Sequence, residues 1–155
     1  MAEDIAGGSA ASSVETESLR DAQAIADRIE ADRALAAESA EQYATEGLPV
    51  LSDSEFDAIA LPEEQLHAIH GSAVLEWEEP SKSAAQPIGG TLYLTSQRLV
   101  HRGTTVTEIP LEAIGETAVA LQRLVLIRLK DGADLALEVS QPRLLKVQLE
   151  AAQAS

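Results

Sequence analysis

The stretch from Gly89 to Ile114 constrains the fold more than any other part of the chain, because apolar and polar residues alternate along it in short runs. The recurring apolar residues are Leu92, Leu94, Leu99, Val106, Ile109 and Leu111. Turn-forming residues interrupt these runs at Gly89-Gly90, Thr95-Ser96, Gly103 and Pro110. Short alternating runs bounded by turn residues are typical of antiparallel strands. The stretch is therefore predicted to form three strands in a meander.

Further strand signals lie on both sides of this meander. Strands are predicted at about 73–79, 91–95, 98–102, 105–109, 116–121, 123–130 and 133–139. The last two are joined across Asp131-Gly132, a turn-forming pair. Pro142 is predicted to begin a final helix, in which Leu144, Leu145 and Leu149 recur at helical spacing. Residues 73–155 are predicted to form the body of the protein.

Three motifs in the central stretch resemble those of GRAM and bacterial pleckstrin-homology (PH-like) domains. They are Leu92-Tyr93-Leu94-Thr95 after a glycine, Arg98-Leu99-Val100, and Ile109-Pro110-Leu111-Glu112 followed by Ile114. The resemblance implies an α+β fold, a PH-like antiparallel β-barrel of about seven strands in two sheets, capped by a C-terminal helix and preceded by an N-terminal helical extension. Members that bind lipids gather Lys and Arg at the open end of the barrel. Here the first loop offers Lys82, while Arg98 and Arg102 alternate onto one face of a strand. These three residues are the ligand-contact candidates, although they do not match the family's lipid-binding pattern residue by residue.

The first half of the chain is predicted to be helical and acidic. Residues 1–13 are small and polar and are predicted to form a disordered tail. Residues 14–46 contain no Pro or Gly and are predicted to form an amphipathic helix whose narrow apolar stripe is mostly alanine. Two interpretations stay open for that stripe: a loosely packed helix, or a coiled-coil or partner-docking face, with Arg33 arguing against a fully buried seam.

Residues 47–72 are predicted to be a linker with short helices. Gly47-Leu48-Pro49 should end the long helix. Ser52 and Glu55 have the spacing of a capping box. A second short helix is predicted from Pro62, with Leu66, Ile69 and His70 on one face and Gly71 just past its end.

Charge excludes one class of partner. The net charge is −15, with 11 basic and 26 acidic residues. Nucleic-acid binding depends on clustered Lys and Arg, so no nucleic-acid partner is expected. The chain has no cysteine and no apolar run of the ~20 residues that cross a bilayer. A cytoplasmic protein is predicted, with peripheral attachment to a membrane as the alternative.

No catalytic, cofactor-binding or metal-binding residues are predicted. His67 and His70 are three residues apart after Glu63, but this spacing lacks a further ligand and is a weak metal signal. His101 is predicted to be a half-buried packing residue on the same side as Leu99. The predicted function is a non-enzymatic binding or adaptor module that binds a protein partner or itself. The alternative is a membrane-associated module that binds a phosphoinositide or another anionic lipid.

Overall fold

The structure, a computed structural model, describes residues 2–76 and 88–154, and the side chains of residues 16–74 and 89–154. Three helices are present: α1 (Ala2–Glu46), α2 (Ser54–Asp57) and α3 (Pro142–Ala154). The seven strands are β1 (Leu66–Glu76), β2 (Ile88–Thr95), β3 (Arg98–Arg102), β4 (Val106–Pro110), β5 (Ile114–Ala120), β6 (Leu124–Leu129) and β7 (Asp134–Val139). A short 3₁₀ turn, Leu111–Ala113, joins β4 to β5.

The strands form one antiparallel sheet in the order β4-β3-β2-β1-β7-β6-β5. Strand β1 pairs with both β2 and β7 and so joins the two halves of the sheet. Among the described strands, β4 and β5 are the two edges and no pairing between them closes the sheet. The predicted α+β class, seven antiparallel strands, C-terminal helix and N-terminal helix are confirmed, whereas this sheet is open rather than the predicted two-sheet barrel.

The main core lies between the sheet and α3. Its buried residues include Leu94, Leu99, Ile127 and Leu137 on the strands and Leu149 on the helix. Burying one such side chain contributes about 1.5–3 kcal/mol relative to exposing it. The 3.6-residue periodicity after Pro142 predicted this contact correctly, and the hairpin turn after β6 is also confirmed because Gly132 has a φ of +94°.

A smaller core covers the opposite face of the sheet. Phe56 of α2 packs with Leu66, Tyr93 and Val100, and Ile59 packs against them. The rings of Phe56 and Tyr93 are tilted, with centroids 5.7 Å apart. The connection between α1 and β1 is therefore packed onto the sheet by its apolar residues.

The predicted second short helix is wrong, because Leu66–Glu76 is strand β1. Leu66, Ile69 and His70 suggested a helical face, but alternate residues from Ala68 to Val74 are the ones buried. Pairing with β2 and β7 decides the conformation, since each neighbour supplies backbone hydrogen bonds that a helix would forgo. Strand β1 thus crosses the predicted boundary at residue 73.

Two helix starts also differ from the sequence-based prediction. Helix α1 begins at Ala2, so it includes residues 2–13, for which the sequence predicts a disordered tail. Helix α2 is capped by Asp53 rather than by Ser52, because the Asp53 carboxylate accepts the Phe56 N–H at 2.9 Å. The predicted end of α1 is confirmed: Gly47 has a φ of +79°, and its N–H donates to Tyr43 O at 2.9 Å.

Candidate functional site

The carboxyl-terminal half of α1 packs on α3. Residues of α1 at alternating spacings of three and four are buried or half-buried, and they are Ile29, Asp32, Ala36, Ser39 and Tyr43. At about 100° per residue these five share one face of the helix. Ala36 and Ser39 at the centre of this docking seam are small, and Arg33 lies outside the seam with its side chain 60% exposed. In this half of α1 the narrow apolar face therefore docks on α3 of the same chain rather than on a separate partner.

Asp32 fastens α1 to the beginning of α3. Its side chain is 3% exposed, and its two carboxylate oxygens accept Arg143 N–H at 3.0 Å and Leu144 N–H at 3.2 Å. These are two of the amide groups that a helix leaves without an internal partner at its first turn. The negative carboxylate also lies at the positive, amino-terminal end of the α3 dipole, where a negative charge is stabilising. Asp32 therefore caps a helix more than 100 residues away along the chain.

A second polar contact joins α1, α3 and β1. The Gln148 side chain of α3 contacts Tyr43 Oη at 3.3 Å and His70 Nε2 at 2.7 Å. Burial lowers the pKa of His70, although the Gln148 hydrogen bond and the negative charge of Asp32 act in the opposite direction. His70 is therefore held neutral, and with its Nε2 protonated it donates to the Gln148 amide oxygen.

The other two histidines each contact a backbone carbonyl oxygen. His67 Nδ1 lies 2.7 Å from Pro49 O, just after the end of α1, and His101 Nε2 lies 3.0 Å from Ser72 O. His101 is 3% exposed and lies on the same side of β3 as Leu99, as predicted, but it is fully buried rather than half-buried. Within the described residues, no group of three or more His, Asp or Glu side chains is arranged to hold a metal ion.

Arg98, a predicted ligand contact, is buried instead. Its guanidinium donates to both Glu64 oxygens, from Nε at 2.8 Å and from Nη2 at 3.0 Å, and also to Ile59 O and Glu108. Burial acts to raise the pKa of Glu64, but hydrogen bonds from Arg98, the Leu61 N–H and Thr95 outweigh it and lower that pKa. Arg98 thus anchors the connection between α1 and β1 to the sheet.

Of the other two predicted ligand contacts, one is described by the structure. Arg102 is exposed and donates to Glu55 O at 3.3 Å. Lys82 lies outside the described residues. Of the three candidates, Arg102 is the one that the structure places on an accessible surface.

The other half of α1 presents a different surface. Every residue from 16 to 28 is exposed, and the large apolar side chains of Leu19 and Ile25 are 70% and 51% exposed. Ile25 and Ile29 form one wall of an open groove of about 320 Å³, and the β5–β6 turn forms the other. Leu121 at this turn is 71% exposed.

Two arginines border this groove. Arg28 makes no hydrogen bond or ion pair with any described residue, and Arg123 is loosely paired with Glu138, with Nε 3.7 Å from Oε2. The carboxylate of Asp32 also lines the groove, so the two arginines lie beside an acidic residue and the exposed apolar side chains of Ile25 and Leu121. Exposed apolar side chains with charged residues beside them are a feature of protein-binding surfaces.

Sequence reasoning missed Asp32, Gln148 and the groove. A charged residue within the apolar stripe of α1 was the available signal for Asp32, since a polar residue at a seam position usually has a specific partner. Gln148 and Leu121 carry no such signal, because their roles depend on which elements the fold brings together.

Comparisons with known proteins find a structural similarity but no family. No family model and no curated protein matches the chain. Among solved structures, the chain is similar to the C-terminal domain of an unknown protein from Leishmania infantum, with 16% identity and a TM-score of 0.48. That similarity covers 64% of this chain and 92% of the other. Among the described residues, no helix is both long enough and apolar enough to cross a membrane.

Proposed function

We propose that this protein is a non-enzymatic protein-binding module, with a PH-like body that holds α1 in place as a docking element. Seven strands followed by one helix is the PH-like order, and the motifs in β2, β3 and β4 support that assignment. The binding face is the groove between the exposed half of α1 and the β5–β6 turn. The observation that carries the proposal is the exposure of Ile25 and Leu121 on its two walls.

The alternative role in lipid binding has less support. Attachment to an anionic membrane requires several cations together, each contributing on the order of 1 kcal/mol. Arg98 is committed to Glu64 and Glu108, which leaves Arg102 as the accessible cation among the described candidates. Protein binding therefore fits the structure better than lipid binding.

Site-specific photocrosslinking in the source cells tests the protein-binding function. A photoreactive phenylalanine replaces Leu121 in one variant and Val106 in the other, because both are exposed apolar residues, with 71% and 54% exposure. We expect a crosslinked protein adduct from position 121 and none from position 106 on edge strand β4. The mass of the adduct distinguishes a second copy of the chain from another protein. Equal adducts at both positions, or none at 121, would refute the proposed binding face.

A further inference from the structure

We propose that the groove binds α1 of a second copy, so that two chains form a symmetric dimer through antiparallel contact of their α1 helices. This inference rests on the proposed function and identifies its partner. It follows from charges that α1 carries outside its docking seam. Glu17, Asp21, Ala24 and Arg28 lie within an arc of about 60° on the helix, at ~100° per residue.

Arg28 on this arc lacks a free partner within its own helix. Ion pairs on one helix form at spacings of three or four residues. At those spacings Arg28 has Ala24, Ile25 and Ala31, while Asp32 is already bonded to α3. Asp21 lies about 10 Å before Arg28 along the axis, at ~1.5 Å per residue, and so lies beyond direct pairing.

At the acidic end of the arc, Asp21 has no basic residue three or four positions away, whereas Glu17 has Arg20 three residues on. Glu17 and Asp21 are four residues apart, a spacing at which like charges repel each other. Both side chains are exposed, and the structure gives neither an ion pair with a described residue. A cation supplied from outside the helix would relieve this repulsion.

Antiparallel contact of two α1 helices supplies the missing partner on both sides. In a two-fold arrangement, each contact between one pair of positions is repeated in the opposite sense. If the helices cross near Ala24, Arg28 of each chain lies opposite Glu17 and Asp21 of the other. Ala24 is small, which permits a close crossing. The same carboxylates then approach Arg123, which borders the groove beside Arg28.

The apolar residues of the groove fit the same arrangement. Ile25 lies next to the charged arc on α1, and Leu121 faces it from the β5–β6 turn. An incoming helix would cover both side chains, which are largely exposed in the single chain. The high net negative charge opposes association at long range, but salt at physiological strength screens that repulsion beyond about 8 Å. The local pairs therefore decide the orientation.

Sedimentation equilibrium of charge-reversed full-length chains tests this dimer. Wild-type protein should approach twice the 16.4-kDa chain mass as its concentration rises. Arg28→Glu alone, and Glu17→Arg combined with Asp21→Arg, should each be monomeric because every intermolecular pair becomes repulsive. An equimolar mixture of these two variants should dimerise, because each chain again meets opposite charges. Asp27→Arg, about 90° around the helix from the centre of the arc, is the matched control and should leave the mass unchanged.

Several outcomes would overturn the dimer. A monomeric wild type at hundreds of micromolar rejects it, as does a dimer that persists in both charge-reversed variants. Failure of the mixture to associate rejects the antiparallel pairing, provided that circular dichroism shows both variants folded. If the wild type is monomeric but a crosslinked adduct at position 121 contains another protein, then the protein-binding function stands and only the second copy is excluded.

Discussion

Replacing Asp32 with alanine should loosen α1 from the body. The change removes two hydrogen bonds from a carboxylate to the first turn of α3 and leaves the Arg143 and Leu144 N–H groups without that acceptor. A hydrogen bond to a charged group contributes about 1.5–3 kcal/mol, and loss of a helix cap typically costs about 0.5–2 kcal/mol. Removing a buried carboxylate also removes its desolvation cost. We therefore expect a net loss of about 2 kcal/mol in the free energy of unfolding.

Urea denaturation followed by two probes measures this loss. Far-ultraviolet circular dichroism reports mainly on the helices, and near-ultraviolet circular dichroism reports on packed aromatic rings such as Phe56 and Tyr93, whose centroids are 5.7 Å apart. In thermal unfolding, a loss of about 2 kcal/mol should lower Tm by about 4–8 °C for a chain of this size. Asp32→Asn keeps one oxygen acceptor and should lose about half as much.

Asp27→Ala is the matched control for Asp32→Ala. Asp27 is an exposed aspartate on the same helix and accepts a hydrogen bond from Gln23 within that helix at 2.7 Å. Its replacement should change stability by less than about 0.5 kcal/mol. If Asp32→Ala and Asp27→Ala are equally stable, the docking of α1 through Asp32 is wrong.

Three further predictions concern the contacts around the sheet. Because the folded pKa of His70 is lowered, the free energy of unfolding should fall as pH drops below about 6.5, where the histidine of the unfolded chain takes up a proton first. His70→Gln should flatten the change in urea midpoint between about pH 7.5 and 5. An unchanged dependence of the midpoint on pH in this variant would contradict the prediction. Arg98→Met leaves the buried Glu64 carboxylate without its ion-pair partner and should lower the free energy of unfolding by about 3–5 kcal/mol in urea denaturation. Arg102→Met should lower it by less than about 0.5 kcal/mol, because Arg102 is exposed. Similar losses in the two variants would contradict the difference in burial. Gly90→Ala places a Cβ 2.2 Å from Arg102 O and should destabilise the fold by about 1–3 kcal/mol in the same assay. Gly89→Ala is the control, because its Cβ meets nothing within 4 Å. Equal stability of the two variants would contradict the close approach of Gly90 in β2 to Arg102 in β3.

The strands and the final helix could be predicted because local patterns specify them. The run from Arg98 to Arg102 is a strand with the predicted bounds, and Pro142 begins α3 as expected. The amino-terminal part of β1 could not be read in this way. Leu66, Ile69 and His70 fit a helical spacing as well as they fit a strand, and only pairing with β2 and β7 selects the strand.

The candidate site was less predictable than the fold because its residues are distant in sequence. Arg98 looked like a surface cation, and its burial depends on Glu64, which the chain brings to it from the connection before β1. Asp32 accepts a hydrogen bond from the Arg143 N–H of α3, and the two residues are 111 positions apart in the sequence. Charge spacing along α1 can be read from the sequence, but the wall that faces it, formed by Leu121 and Arg123, requires the folded chain.

Amide hydrogen exchange along α1 of the wild-type chain in dilute solution tests the central claim most directly. That claim is a division of the helix into a half docked on α3 and an exposed half that is available to a partner. Amides from Ile29 to Tyr43 should exchange at least about tenfold more slowly than those from Glu17 to Arg28, because tenfold corresponds to ~1.4 kcal/mol of protection by docking. Uniform exchange along the whole helix would contradict the account.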